Sequence, residues 1–471
     1  MAQETGEKRL STWQLAAYGQ LVMPLAVIGL PVAVYLPPFY SGTLGLDLAA
    51  VGLILMLARI SDVITDPLIG RLSDRTRTRV GRRRPWVLAG VPVMMLSAYM
   101  LFLPPGEVSN LYLLIWISAI YLGYTLITIP YGAWGAELSG DYHERNRITG
   151  SREIFLLVGL LIAISAPIIG AYMSGEGTSG SNAASRSAVG LLGWLTVILL
   201  PICALLTLSS VPEPAIQETK TVPIIRGLKL AMKNGPLRIL LASTIFSALA
   251  GSINVGVVIF FYEHVAQIGE ASTILIFVLF VSGVIGSPFW VWMGGRIGKH
   301  TAVAVSGFVS MFVFALVPLI IYFVKPLAPE WVFLCFLFVT VVQGLAFGAA
   351  PILAPSILAD VVDLDTIKSG EPRAAFIFAF IGMVRKAFEA MGVGIALPVL
   401  KWAGFNAQST ENTPEALFVL LLMFCVVPLI LWLISIVFIL RYPITHERQQ
   451  RLRSALERRM ARRELRRVMA D

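Results

Sequence analysis

The sequence predicts an all-α polytopic membrane protein, and three observations lead there. Of 471 residues, 57% are hydrophobic and only 14% charged, with a mean hydropathy of +0.78, far from a soluble domain. Apolar runs of about 20 residues, each able to cross ~30 Å of hydrocarbon, recur along the whole chain. The basic residues gather in alternate loops, as they do where a chain crosses a bilayer repeatedly.

The expected spans fall near 12–37, 47–70, 85–104, 110–136, 152–172, 188–210, 238–262, 271–294, 301–324, 330–358, 374–400 and 415–440, which makes twelve transmembrane helices. The first follows Lys8 and Arg9 but is too long for a signal-peptide core and lacks a clear small-residue cleavage site. It is therefore expected to stay as a helix, with the N-terminus inside. Of the 37 Lys and Arg residues, only Arg186, Lys325 and Lys401 fall in outer loops, and only Arg59, Arg385 and Lys386 fall in the interior of spans, with Arg152 and Arg238 at the inner ends of theirs. That asymmetry puts both termini in the cytoplasm and explains the net charge of +9 without nucleic acid. Cys203, Cys335 and Cys425 all lie in apolar spans, where they read as packing residues with no disulfide framework and no metal spacing.

Between spans six and seven the chain turns polar and basic, in VPEPAIQETKTVPIIRGLKLAMKNGPLR. The expected organisation is a six-helix bundle over 1–211, a cytoplasmic linker over 212–237, a second six-helix bundle over 238–441 and a basic amphipathic tail over 442–471. GRLSDRTRTRVGRRRP in loop 2–3 is echoed by the shorter GGRIGKH in loop 8–9. With the count of six and six, this fits the paired halves of the major facilitator fold, with substrate bound at the midplane between them. In the tail, Leu452, Leu456 and Met460 share one helical face amid arginines. A helix lying on anionic membrane lipids is expected there.

Charges inside the spans carry the chemistry. Asp62 and Asp66 stand four residues apart on helix 2, hence on one face with Cβ atoms about 6 Å apart. A charge at bilayer depth costs roughly 2.5–3.5 kcal/mol on insertion scales, so the pair is expected to face a cavity or a counter-charge. Arg59 can neutralise one carboxylate. The other suits a hard cation with oxygen ligands or, because crowding raises a carboxylate pKa, a proton.

The stretch DVITDPLIGRLSDRTRTRVGRRRPW resembles the helix 2 signature of the glycoside–pentoside–hexuronide:cation symporters, the family of the melibiose permease. YTLITIPYGAWGAELSGDYHERNRITGSRE, ILADVVDLDTIKSGEPR and GMVRKAFEAMGVGIA extend the resemblance, in order, over most of the chain. It implies a cation site at Asp62, Thr65, Asp66 and Thr125, with Na⁺ or H⁺ as coupling ion and Li⁺ a further candidate. Lys386 falls on the family's helix 11 lysine, which approaches those carboxylates, and with Arg59 is assigned to coupling; Glu389, three residues on, is its local alternative. Arg152 and Tyr124 match substrate-binding positions, with Gln20 and Thr128 placed beside them. The family's sugar-binding aspartates align with Leu21 and Thr128, and an aromatic becomes Gly132. A pocket without those acids, but with Arg152 and Lys386, leans towards an anionic or amphipathic substrate. Asp74, Arg77, Asp141, Arg145, Asp360, Asp363 and Arg373 fall among clusters that hold the family's inner gate as charged networks.

Cation-coupled symport of a small molecule, a sugar or sugar derivative, is the function expected, with a lysolipid or other amphiphile as the alternative substrate. A membrane enzyme is not: His143, His264, His300 and His446 have no ligand spacing, and no nucleophile–base set converges. No cofactor is expected. Short termini and lean loops suggest a bacterial inner membrane, and a monomer is expected.

Overall fold

The computed structural model describes residues 9–139, 141–173, 185–213, 232–369, 374–409 and 411–443, which form helices and no sheet. Eleven helical stretches among them are long and apolar enough to cross a membrane. In the first half of the chain these are α1 (Thr12–Val34), α2 (Leu48–Arg75), α3 (Arg84–Phe102), α4 (Asn110–Glu137), α5 (Tyr142–Met173) and α6 (Arg186–Ser210). The second half supplies α7 (Gly235–Val265), α8 (Ser272–Ile297), α9 (Lys299–Leu327), α10 (Pro329–Asp365) and α12 (Pro414–Leu440). Between the last two, α11 (Ala374–Trp402) is 29 residues long but carries Arg385, Lys386 and Glu389 within two turns, so length admits it and composition does not. Residues 214–231 of the expected linker, Arg373 and nearly all of the expected tail lie outside the described residues.

The helices overrun the expected apolar limits where charged residues continue them into the aqueous face. α2 runs to Arg75 rather than ending at 70, and α5 begins at Tyr142 rather than at 152. Asp141 starts α5 early because its Oδ1 accepts the Glu144 N–H at 2.8 Å, satisfying one orphan donor of the first turn. Other helices are interrupted within the membrane. α1 breaks at Gln20–Leu21, and α2 at Ser61, whose hydroxyl donates to the Ala58 carbonyl at 2.6 Å. Wide π-turns follow at Phe39–Thr43, Phe261–Val265, Ile320–Val324 and Leu422–Val426.

Contacts divide the chain into two compact units. One comprises Met1–Glu218, Val255–Thr273 and Ala390–Leu420; the other Thr219–Asn254, Ile274–Glu389 and Leu421–Asp471. The split is not a simple division at 212–237, because the ends of α7 and α11 remote from the arginine-rich turn pack with the first-half helices. In the first unit α3 lies along α4, α1 and α6 along α5, and α2 along α4. Tyr18 of α1 and Tyr131 of α4 stack at 4.5 Å between centroids, and each hydroxyl donates to the other residue's carbonyl, at 3.2 and 2.8 Å. In the second unit α9 packs on α10 and α12 around Ile357, Val361 and Ile436. Tyr442, just past α12, closes that core by donating to the Ile357 carbonyl at 3.2 Å.

The echo between loops 2–3 and 8–9 is structural as well. Gly81 (φ +116) precedes α3 and Gly298 (φ +93) precedes α9, each in the left-handed region that a side chain strains. Each turn sends a cation to a carboxylate: Arg83 to the half-buried Glu137 at 2.6 Å, and Lys299 to the buried Asp360 at 2.8 Å.

Candidate cation and substrate site

α2 carries Asp62 just after its break at Ser61 and Asp66 one turn further on. Asp62 is 1% exposed, and its Oδ2 receives Arg59 Nη1 at 3.1 Å. The same guanidinium lies 4.9 Å from the ring centroid of Tyr121 on α4, so Arg59 is held by charge on one side and a π face on the other. Because α2 packs along α4, the fully buried Thr125 reaches across, and its hydroxyl donates to Asp66 Oδ1 at 2.9 Å. Thr65 Oγ1 is buried with no hydrogen-bond partner among the described residues. A helical threonine usually satisfies its hydroxyl on a carbonyl of the preceding turn, so this orphan oxygen is a costly feature beside two carboxylates. Asp62 and Asp66 thus stand one turn apart on α2, Thr125 binds the second of them, and Thr65, next to it in the chain, adds an unsatisfied buried oxygen. That donor chemistry fits Na⁺ or Li⁺, and the carboxylates alone fit a proton.

Lys386 sits on α11 in the second unit, where its helix neighbour Arg385 approaches Glu389, Nε to Oε1, at 3.4 Å. Glu389, the local partner the sequence offered Lys386, thus receives Arg385.

The expected substrate positions gather within the first unit. Tyr124, Thr128 and Gly132 repeat at four-residue intervals on α4 and therefore share a face. The Thr128 hydroxyl donates to the Tyr124 carbonyl at 2.8 Å, which fixes it against its own helix. Gln20 is half-buried at the break of α1. One turn past Thr128, a cavity of about 220 Å³ opens, lined by Tyr18, Gly132, Gly135, Arg145, Thr149 and Arg152 among others. Arg152 also pairs with Glu153 at 2.8 Å.

Two of the expected inner-gate residues, Asp74 and Asp360, form ion pairs inside their own unit. Asp74 Oδ1 binds Arg83 Nη2 at 2.7 Å, and that guanidinium also donates to Glu137 and, at 2.9 Å, to the Ser73 hydroxyl. Arg77 is exposed, with no ion pair among the described residues. Asp141 caps α5, and Arg145 Nε donates to the Ser139 carbonyl at 2.7 Å. In the second unit Asp360 holds Lys299, and half-buried Asp363 lies one turn of α10 away.

Sequence reasoning missed Glu213. Its Oε1 accepts the backbone N–H groups of Arg82 and Arg83 at 2.6 and 2.7 Å, its Oε2 lies 3.6 Å from Arg84 Nε, and Gly81 packs against it. The adjoining backbone takes Arg84 at the Val211 carbonyl (2.8 Å) and the Trp134 indole at the Pro212 carbonyl (2.9 Å). A lone acid just after span six, facing three consecutive arginines before span three, was the signal available; nothing in the spacing joined them.

The profile of a family described as MFS/sugar transport protein matches residues 17–446. The chain is 26% identical over 89% of its length to the sodium-dependent lysophosphatidylcholine symporter 1 of Xenopus tropicalis, of which 83% is covered. It is also 26% identical over 87% of its length, and 87% of the relative's, to YagG of Escherichia coli (strain K12), provisionally described as a glycoside/cation symporter. A crystal structure of the nucleoside transporter NupG superposes with a TM-score of 0.62 at 15% identity, covering 92% of this chain and 98% of that one. That likeness shows the fold.

Proposed function

Because the chain belongs to the MFS/sugar transport protein family and is a major facilitator transporter, we propose that it is a cation-coupled symporter of a sugar or sugar derivative, working by alternating access. The observation that carries this reading is the oxygen set of α2 and α4: Asp62 buried against Arg59, Asp66 receiving Thr125, and the orphan hydroxyl of Thr65 between them. Two carboxylates at bilayer depth call for compensating positive charge, which a monovalent cation or a proton supplies alongside Arg59. The ion then loads on the first unit, and Lys386 and Arg59 are assigned to its coupling.

A second reading has one observation in its favour. Relatives of this chain include sodium-dependent lysophosphatidylcholine symporters, and Leu21, Thr128 and Gly132 leave the substrate face without carboxylates. A lysolipid or similar amphiphile is then the cargo. On either reading the protein is a multi-pass transporter, assigned here to a bacterial inner membrane and to a monomer, with the basic tail lying on anionic lipids.

Uptake into proteoliposomes, with and without a Na⁺ or pH gradient, tests the proposal. Asp62→Ala and Asp66→Ala are each expected to abolish gradient-driven accumulation. Full accumulation by both variants would end the cation-site assignment, and accumulation indifferent to either gradient would end symport.

A further inference from the structure

A second group of buried polar atoms without partners lies on α1, α7 and α8, none of which supplies a residue to the Asp62 set. Tyr35 Oη, Glu263 Oε1 and Ser272 Oγ are each buried with no hydrogen bond among the described residues. Tyr35 and Ser272 are 0% exposed, so bulk water does not satisfy them. Leaving such oxygens unmade is costly, and a group of them in one place calls for a ligand.

The chain brings the three together at the end of α7. That helix widens into the π-turn Phe261–Val265, a form that recurs at functional sites, and Glu263 lies within it. The chain then reverses tightly: the Ile268 N–H donates to the Tyr262 carbonyl and the Ala271 N–H to the Ile268 carbonyl, both at 2.9 Å. Gln267 takes φ +57 to make the reversal, a conformation uncommon outside glycine. Gly269 comes so close to Glu263 that a Cβ there would lie 2.8 Å from Glu263 Cγ, and its carbonyl accepts the Ser272 N–H that opens α8. Tyr35, which follows α1, turns its hydroxyl towards Thr273, the next residue of α8, without forming a hydrogen bond. All of these residues belong to the first unit.

Charge and donor type select the ligand. No charged group among the described residues stands near enough to act on Glu263. His264 is set edge-on to Phe405, 5.0 Å between ring centroids, and consecutive residues of a helical turn do not face each other. The imidazole is thereby excluded, which removes the nitrogen that a transition metal would seek. What is left is one carboxylate and two hydroxyls. Such a set balances a single positive charge, whereas calcium recruits more oxygens and more carboxylates.

We propose that Glu263, Tyr35 and Ser272 hold a hard monovalent cation, Na⁺ or Li⁺, at a site separate from Asp62 and Asp66. With both termini inside, the end of α7 falls on the outer side, so the ion comes from the outer solution. Because its ligands come from three helices, the bound ion ties the outer ends of α1, α7 and α8 to one another.

The test removes the first ion site and asks for a second. In the purified full chain carrying Asp62→Asn and Asp66→Asn, Na⁺ is titrated against choline at constant ionic strength and about pH 8, where protons compete least for a carboxylate, and the thermal midpoint is read. A saturable rise with Na⁺, absent with choline, is expected. Adding Glu263→Gln is expected to abolish the rise. Adding Tyr35→Phe, which keeps the ring, is expected to increase the half-saturating Na⁺ about tenfold, and this variant decides the matter if Glu263→Gln does not fold. The site is overturned by the lack of a Na⁺-specific rise in the doubly substituted chain, or by a rise that either added substitution leaves unchanged. A midpoint that responds to pH and not to Na⁺ gives the group to a proton and overturns the cation site as well. Asp62 and Asp66 are absent from this measurement, so its failure leaves the symporter reading standing, and failure of gradient-driven uptake leaves this site standing.

Discussion

At the residue scale the feature with the sharpest consequence is the hydroxyl of Thr65. It is buried next to Asp66 in the chain with no hydrogen-bond partner among the described residues, and an unsatisfied buried hydroxyl costs stability. Thr65→Val keeps the volume and removes the oxygen. The variant is expected to unfold at the same temperature as the parent or slightly above, gaining up to ~1 kcal/mol, while its Na⁺-induced thermal shift needs roughly tenfold more Na⁺. An unaltered Na⁺ response in a thermal-shift titration would remove Thr65 from the cation set. The acidic pair was legible in the sequence because a charge in an apolar run violates membrane energetics on its face. The Thr125 contact was not, since positions 66 and 125 meet only through the packing of α2 on α4, and the resemblance alone suggested it. A second residue prediction concerns Asp47, which caps α2 by accepting the Ala50 N–H at 3.0 Å and pairs with Lys401 at 3.0 Å. The Ala50 N–H first, and then Lys401, hold this carboxyl below its ordinary value of 3.8. Its contribution is therefore complete above that ordinary value and is lost only as the pH falls through the lowered one. Stability from about pH 5 to about pH 8 should not vary through this group. Both partners are nearly half exposed, so Asp47→Asn, which preserves a cap, is expected to cost at most a few tenths of a kcal/mol after solvent screening, and Asp47→Ala about 1 kcal/mol. Thermal midpoints across that pH range check both expectations.

Among the elements, the arginine-rich turn shows most clearly what a sequence conceals. Its basic run signalled topology, and the structure gives the same residues a second task. Glu213 takes two backbone N–H groups at the start of α3 on one oxygen, while Arg83 spans Asp74, Glu137 and Ser73. The entry to α3 is thus tied to the end of α6 and to the end of α4. Glu213→Ala leaves those two N–H groups without their acceptor and Arg84 without its nearest acid, and is expected to destabilise the first unit by roughly 1–3 kcal/mol. Glu213→Gln, which retains one acceptor oxygen, should lose less. A fall in the thermal midpoint of the Ala variant no larger than that of a surface substitution would show the clamp to be idle. The helices were legible through length and hydropathy, which need no tertiary information. Their interruptions at Ser61, at Gln20–Leu21 and at the π-turns were not, because each depends on a local carbonyl finding another donor. The overrun of α5 to Tyr142 was missed for a related reason: hydropathy marks the hydrocarbon boundary, whereas the Asp141 cap marks the helix boundary.

For the whole molecule, alternating access requires that some contacts of this structure break in each cycle, and the first unit shows which. α2 and the final part of α11 approach so closely that a Cβ on Gly52 would lie 2.8 Å from Leu397 Cβ and 3.1 Å from Pro398 Cδ. On the facing helix, a Cβ on Gly394 would collide with the side chain of Met56. Gly256 of α7 meets Val393 in the same way, at 3.2 Å, and the Asp47–Lys401 pair lies at the end of this seam. With both termini inside, as the distribution of basic residues predicts, the seam falls on the outer side, and we propose that it closes that side in the transport cycle. Close backbone approach supplies the stability here through packing, as small residues do between helices in lipid. A branched side chain at the seam should hold it apart without touching Asp62, Asp66 or the arginine cavity. Gly394→Leu is therefore expected to fold, to keep its Na⁺-induced thermal shift and to bind cargo from the outer face, yet to transport at least about tenfold more slowly, because each closure would carry an overpacking cost of ~1–3 kcal/mol. Labelling by a membrane-impermeant reagent of a cysteine introduced at Leu397, which is fully buried against Gly52, should rise in the same variant. Normal uptake with unchanged labelling would mean that the seam is not the outer gate, and the coupling of Asp62 and Asp66 to access would then have to run through some other contact.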